Sequence, residues 1–380
     1  MPSIQTQLVH AGEPRPRLEG AVVPAIFQSA TFEDSGGGNY HDLKYIRLNN
    51  TPNHDILHQK LSVICGGEAA LVTSSGMAAI STTLLALLNS GDHILAQNCL
   101  YGGTHGFLDS DAPSLGIGVD RIDAHRPESW REKMRPETRL VYVETITNPL
   151  IQVCELEAIV SFARENELLT VIDNTFASPI NFRPLEIGFD VEIHSATKYL
   201  NGHSDIVAGA IIASHDLIAK IGLTLDHLGG CLDPHACFLM HRGMRTLSLR
   251  VDYQNHSAET LARRLVEHPG VERVHHPLIE GHPDQERARR LLRGCGGVFS
   301  FEPAGGIEIA ERILRRLNLA VNAPSLGGVE TLIGRPSAQS HAAIPAAERV
   351  QMGIEDHLLR IAVGIEDTED LWEDLERALR

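Results

Sequence analysis

The chain has 380 residues, 43% of them hydrophobic and 22% charged, which suits a folded protein of about two domains and excludes a disordered or fibrous one. Its 33 basic and 49 acidic residues give a formal net charge of −16, which argues against nucleic acid or an anionic membrane as the main partner. The start, Met1-Pro2-Ser3-Ile4-Gln5, has neither region of a secretory signal, and the most apolar stretch, Leu71 to Leu88, is interrupted by six serines and threonines. Cys65, Cys99, Cys154, Cys231, Cys237 and Cys295 form no CxxC pair and no tight framework, so a reducing, cytoplasmic setting is expected.

Residues 1–50 hold no sustained period and include Pro14, Pro16, Pro24 and Gly36-Gly37-Gly38, the pattern of an irregular arm. At Thr51 the texture changes. Thr51 can cap a helix, Pro52 suits its first position, Leu57, Leu61 and Ile64 share a face, and Gly66-Gly67 ends it. Apolar runs then predict strands over Ala69–Thr73, His93–Gln97, Leu140–Glu144, Leu169–Ile172, Val191–His194 and Val207–Ala213. Helical stripes at Met77–Leu88 and Leu156–Glu167 lie between them, so the fold class is α/β with a mostly parallel sheet covered on both faces. Past about residue 245 the pattern shifts to long helices, Thr246–His268 and Gly306–Leu317, with strands Gly297–Phe301 and Leu358–Val363 and a closing helix Thr368–Leu379. The expected organisation is an arm over 1–50, a large domain over 51–245 and a smaller α+β domain over 246–380.

Several common chemistries are missing. There is no GxxxxGK[ST] loop, HExxH helix, GxGxxG turn or GxSxG elbow, and Cys231, His235, Cys237 and His241 match no ligand spacing, so no metal is expected.

What remains converges on one ligand. Lys198 lies on the loop after the strand Val191–His194, preceded by the hydroxyls of Ser195 and Thr197. Asp173 closes the buried run Leu168–Ile172, a costly place for a carboxylate that meets no cation. Ser74-Ser75-Gly76-Met77 opens a helix directly after a strand, where free amides bind phosphate and glycine permits close approach. Each has an ordinary alternative: a solvated lysine, a helix-capping aspartate, a plain serine cap. Together they supply an amine for an aldehyde, a carboxylate for a pyridinium and a cradle for a phosphate, the three requirements of pyridoxal 5'-phosphate.

The segments SATKYLNGHSD, VIDNTF, TSSGMAAI, LYGGT, APSLGGVETL and LRIAVGIED resemble, in type and relative placement, those of the cystathionine γ-synthase and γ-lyase family of pyridoxal phosphate enzymes of sulfur amino-acid metabolism. The resemblance runs from about residue 20 to 380 and implies an aspartate-aminotransferase-like, fold type I architecture. It implies Lys198 as the cofactor-binding lysine and Asp173 as partner of the ring nitrogen, with Ser75, Gly76, Met77, Ser195 and Thr197 around the phosphate. Tyr45 and Arg47 match residues that reach the phosphate of the adjacent subunit, which implies that a lone monomer is incomplete; the resemblance implies a dimer or, in preference, a homotetramer built as a dimer of dimers. Tyr101 would stack on the ring and serve in proton transfer, Arg360 would clamp the α-carboxylate of an amino-acid substrate, and Asn148 and Ser325 match further pocket positions.

The family's activities leave two outcomes open: elimination at a carbon–sulfur bond, or γ-replacement on an O-activated homoserine. A third reading, a cofactor-binding protein without turnover, is disfavoured by the joint presence of Lys198, Tyr101 and Arg360. Departures from the pattern fall at the substrate end. Lys44 and Pro324 stand where relatives that handle cystathionine carry acids, Gly103 stands where methionine γ-lyases carry cysteine, and Asn49-Asn50-Thr51-Pro52 replaces an Asn-Pro-Thr. Lys44 and Pro324 together imply that a second ammonium on the substrate is unwelcome.

Overall fold

A computed structural model describes every residue except 1, 35, 37, 39, 41, 42 and 343, so the middle of the glycine triplet lies outside the described residues. Seven strands, β1 (Ala69–Thr73), β2 (His93–Gln97), β3 (Gly118–Ile122), β4 (Thr138–Glu144), β5 (Leu169–Asp173), β6 (Val191–His194) and β7 (Gly209–Ala213), form one sheet in the order β1-β7-β6-β5-β4-β2-β3. Only β7 runs against its neighbours; the pairs β6·β5, β5·β4, β4·β2 and β2·β3 are parallel. Strand β4 reads as an unbroken apolar run because both faces are covered. Val141 and Val143 join Leu57, Leu61, Trp130 and Ile159, while Leu140 and Tyr142 join Ile80, Leu84 and Ile221.

A second sheet, β8 (Val271–His275), β9 (Val298–Pro303), β10 (Val321–Asn322), β11 (Leu332–Gly334) and β12 (Leu359–Ala362), has the order β10-β11-β12-β9-β8 and is antiparallel except at β10·β11. The helix Leu247–Val266 ties the two halves together: Leu247 and Val251 pack in the core of the large sheet, and Ala258, Leu261 and Leu265 in that of the small one.

The helix Pro52–Cys65 forms as its sequence dictates, with a capping box between Thr51 and His54 and Gly66 in the left-handed conformation at its end. Elsewhere the element limits differ from the sequence-based ones by a residue or two. Strand β7 starts at Gly209 rather than Val207 because Ala208 spends its N–H and C=O on Thr197. Strand β3 escapes the apolar pattern because GVDRI is a half-exposed edge strand, where polar residues block further pairing.

The arm is less irregular than expected. Residues Ile4–His10 are helical, Leu8 is fully buried, and the Lys60 ammonium donates to the Leu8 carbonyl at 2.7 Å. Glu13 pairs with His241 at 3.2 Å, both buried. Seven residues carry too short a period to be recognised, and they hold helical form because they dock.

The carboxyl ends of β1, β4, β5 and β6 all face one cavity, the usual ligand edge of an open α/β sheet. Gly209 stands where the Ser75 turn crosses β7, and a Cβ there would run into the Ser75 carbonyl oxygen and the Thr73 hydroxyl. Gly209→Ala is expected to lower unfolding stability by about 1–3 kcal/mol, as overpacking against fixed backbone does, measurable by urea denaturation.

Candidate active site

The cavity has a volume of about 610 Å³ and draws its walls from both halves of the molecule. From the large sheet come Ser75, Gly76 and Met77 after β1, Glu144 at the end of β4, Asp173 and Thr175 at and after β5, and Ser195, Thr197 and Lys198 after β6. From the small domain come Pro324 and Ser325, Gln339 and Ser340, and Arg360 on β12.

Lys198 is largely buried, and its Nζ donates to the Ser325 hydroxyl at 2.7 Å. Burial, reinforced by the nearby Arg360 guanidinium, brings its pKa down to about 8. Ser325 is held in the left-handed region at φ 108, an unfavourable place for a residue with a Cβ. Arg360 fixes it there, because Nη2 donates to the Ser325 carbonyl at 3.0 Å while Nη1 donates to the Asn148 side-chain oxygen at 3.0 Å. Gly327 lets this loop press on the Lys198 turn: a Cβ there would stand 2.7 Å from the Tyr199 nitrogen.

Asp173 Oδ1 accepts from the Thr175 N–H at 3.0 Å and from its hydroxyl at 2.5 Å. The Thr175 hydroxyl oxygen in turn accepts the Ser195 N–H at 2.7 Å, so one threonine couples the acid to the lysine loop. Burial pushes the Asp173 carboxyl up from its usual range, against the pull of the Thr175 donors.

At the start of the helix Gly76–Leu87, Ser75 caps by accepting the Ala78 N–H at 2.9 Å. A Cβ on Gly76 would lie 2.8 Å from the Ser195 Cβ, so only glycine lets the two loops close side by side. First-turn amides of this helix, the Ser195 hydroxyl and a low-pKa amine thus border a single space.

Residues 5–380 match the family model of the Cys/Met metabolism PLP-dependent enzymes. The chain belongs to that family. It is 38% identical over 376 residues to a cystathionine γ-lyase of Bacillus subtilis, covering 99% of this chain and 98% of that one. It is also 38% identical to an L-methionine γ-lyase of Fusobacterium nucleatum, covering 98% and 97%. The solved structure of a cystathionine γ-synthase from Xanthomonas oryzae, in complex with aminoacrylate and cysteine, superposes with a TM-score of 0.96 at 36% identity, covering 100% and 98% of the two chains. The protein is therefore a pyridoxal-phosphate-dependent enzyme with the fold type I architecture.

The residues present fit that cofactor. A helix start that Gly76 lets close against Ser195, a buried carboxyl and a largely buried amine border the one cavity. Of the residues the sequence singled out, Ser75, Gly76, Met77, Tyr101, Asn148, Asp173, Ser195, Thr197, Lys198, Ser325 and Arg360 line it, as does Pro324. The Thr197 hydroxyl is engaged with Ala208, donating to its C=O at 3.2 Å and accepting its N–H at 3.0 Å. Three residues stay outside this chain's cavity. Lys44 pairs with Asp55, in the first turn of the helix Pro52–Cys65, at 3.5 Å on the surface. Tyr45 is 39% exposed, and the Arg47 guanidinium sits over its ring at 5.7 Å. Arg47 also donates to the Asp226 carbonyl at 2.8 Å and to the Tyr40 hydroxyl.

Sequence reasoning missed Glu144, Thr175, Gln339 and Ser340. Glu144 carries the same signal as Asp173, an acid closing a buried apolar strand, whereas Gln339 and Ser340 reach the cavity on a small-domain loop with no pattern of its own.

The lowered amine pKa has a measurable consequence. Only the neutral amine attacks an aldehyde, so the cofactor-free protein is expected to capture pyridoxal phosphate at a rate that rises with pH and levels off above about pH 8. An ordinary lysine would not level off until above about pH 10. Stopped-flow absorbance between pH 6 and 10 checks this.

Proposed function

We propose that this chain is a carbon–sulfur lyase of sulfur amino acids, removing a sulfur leaving group from Cγ or Cβ. The observation that carries the reading is the meeting of Lys198, Asp173 and Arg360 in one cavity, and the names of its relatives support the substrate class. Bound there, pyridoxal phosphate supplies an aldehyde for amines and a protonated ring that draws electrons from Cα.

Asp173 holds the ring nitrogen. Ser75, Gly76, Met77, Ser195 and Thr197 hold the phosphate at the helix start. Arg360 takes the substrate α-carboxylate in a two-pronged grip, seated by Asn148 and Ser325. Lys198, placed by Ser325, takes and returns the proton at Cα, and Tyr101 lies at the cavity mouth to assist transfer.

Among the described residues lining the cavity, Lys198 and Arg360 are the only lysine and arginine, and both are committed elsewhere, so none of these residues is left as a cationic partner for a phosphate. We read Tyr45 and Arg47 as supplying it to a neighbouring copy, with residues 1–50 as the arm that carries them, 51–245 as the cofactor domain and 246–380 as the smaller domain. The assembly is read as a cytoplasmic homotetramer. A second reading, γ-replacement on an O-activated homoserine, is favoured by the likeness to the Xanthomonas γ-synthase structure.

A panel assay decides between the two. Release of thiol or ammonia from cysteine, homocysteine, cystathionine and methionine is expected, and thiol-dependent turnover of acylated homoserines exceeding it would favour replacement. Pro324 puts neither charge nor N–H donor at its place in the wall, so cystathionine is expected to have a lower kcat/KM than homocysteine. Arg360→Lys is expected to reduce kcat/KM roughly a hundredfold, since an ammonium cannot reproduce the fork. Mixing inactive Arg47→Ala and Lys198→Ala subunits is expected to restore partial activity, because one hybrid site is then intact. Absence of recovery in verified hybrids would exclude sites shared between copies.

A further inference from the structure

Glu144 is a buried acid for which the chemistry above has no use. It closes β4 as Asp173 closes β5, and the two residues are register partners on adjacent parallel strands. Their side chains therefore leave the same face of the sheet, from strands spaced about 5 Å apart. Both line the cavity, Glu144 at 4% exposure and Asp173 at 8%.

Two anions this close in a dry site repel, so one of the pair keeps its proton. The donors around them decide which. Asp173 receives both the N–H and the hydroxyl of Thr175 on one oxygen, whereas Glu144 Oε1 receives the main-chain N–H of Tyr101 at 2.6 Å. Burial, with the Asp173 charge added, raises the Glu144 carboxyl well above the usual carboxylate range. The other titratable groups facing it, Tyr142, Cys99 and Cys154, are pushed up by burial and stay neutral, and a phenol or thiol has no cationic form with which to hold Glu144 ionised.

The Tyr101 N–H contact gives this acid a task. Tyr101 is 43% exposed at the cavity mouth, and it precedes the short helix Gly102–Gly106. The Glu144 carboxyl joins that turn to the end of β4, and the Gln97 side chain steadies the same strand end by accepting the Glu144 N–H at 2.9 Å.

We propose that Glu144 is a positioning residue that works as an uncharged acid: it seats Tyr101 through the main-chain N–H and leaves Asp173 as the one anion of the pair. The arrangement matches the general device of a carboxylic acid kept neutral by its surroundings so that it can act as a hydrogen-bonding group. It rests on the reading of Asp173 as the ring partner.

The test compares the holoenzyme with Glu144→Gln and Glu144→Ala. Glutamine keeps the acceptor oxygen, and its NH2 replaces the acid's O–H. Glu144→Gln is therefore expected to keep kcat/KM within about threefold and the cofactor's visible absorbance and circular dichroism unchanged. Glu144→Ala is expected to lose at least about tenfold in kcat, with an altered cofactor dichroism band, because Tyr101 loses its anchor. If Glu144→Gln is as impaired as Asp173→Asn, the residue acts as an anion and the proposal falls; if Glu144→Ala matches the unaltered enzyme in both readouts, it positions nothing. Should Glu144→Ala fail to fold, Glu144→Gln decides alone, since charge is what it lacks. Asp173→Asn separates the two layers: unaffected turnover in that variant would remove the ring-partner reading itself, whatever Glu144 does.

Discussion

Ser325 is the point at which the two halves of the site are made into one. Lys198, from the large sheet, donates to its hydroxyl, and Arg360, from the small sheet, donates to its carbonyl. Two cations are thereby held near each other with one residue between them, and that proximity adds to burial in bringing the lysine amine down to about 8. The strained φ of Ser325 and the absent side chain at Gly327 are what let the loop come close enough to do this. Strain of this kind persists only where surrounding contacts over-determine it, and here two hydrogen bonds to Ser325 and the close approach of Gly327 to the Tyr199 nitrogen do so.

The same cavity gathers two carboxyls opposite the two cations. No ion pair joins the groups directly. Thr175 serves Asp173, Tyr101 serves Glu144, Ser325 serves Lys198, and Asn148 with Ser325 serves Arg360. Each of the four is held by neutral donors and acceptors rather than by an opposite charge, so Asp173, Lys198 and Arg360 remain available to a ligand that brings a ring nitrogen, an aldehyde and a carboxylate of its own. A site closed by direct salt bridges would have to break them first, at considerable cost in a dry interior.

The end of the cavity that we read as the phosphate site is built differently. It relies on helix-start amides and hydroxyls, with Gly76 allowing the Ser195 loop to approach. Among the described residues, Ser75, Gly76, Met77, Ser195 and Thr197 bring no side-chain charge to it, while Arg47 lies outside the cavity beside Tyr40 and Tyr45. There the guanidinium lies near both rings and donates to the Asp226 carbonyl and the Tyr40 hydroxyl.

Much of this was legible in the order of residues. Apolar runs interrupted by Gly and Pro located the main strands of the large sheet, because a strand buried on both faces has to be apolar throughout. The loops at their carboxyl ends stood out because Lys198, Asp173 and Gly76 break that apolarity at the positions where α/β sheets bind ligands. The family resemblance placed Tyr101, Asn148, Ser325 and Arg360. Local pattern could not reveal that Ile4–His10 is helical, that Asp55 captures Lys44, or that Gln339 and Ser340 reach the cavity, since those outcomes depend on contacts between segments far apart in the chain. Glu144 shows the division most clearly. Its burial was readable from the strand it closes, but its role depends on the register that sets it beside Asp173 and on the turn that brings the Tyr101 N–H to it, and both are properties of strand pairing in three dimensions.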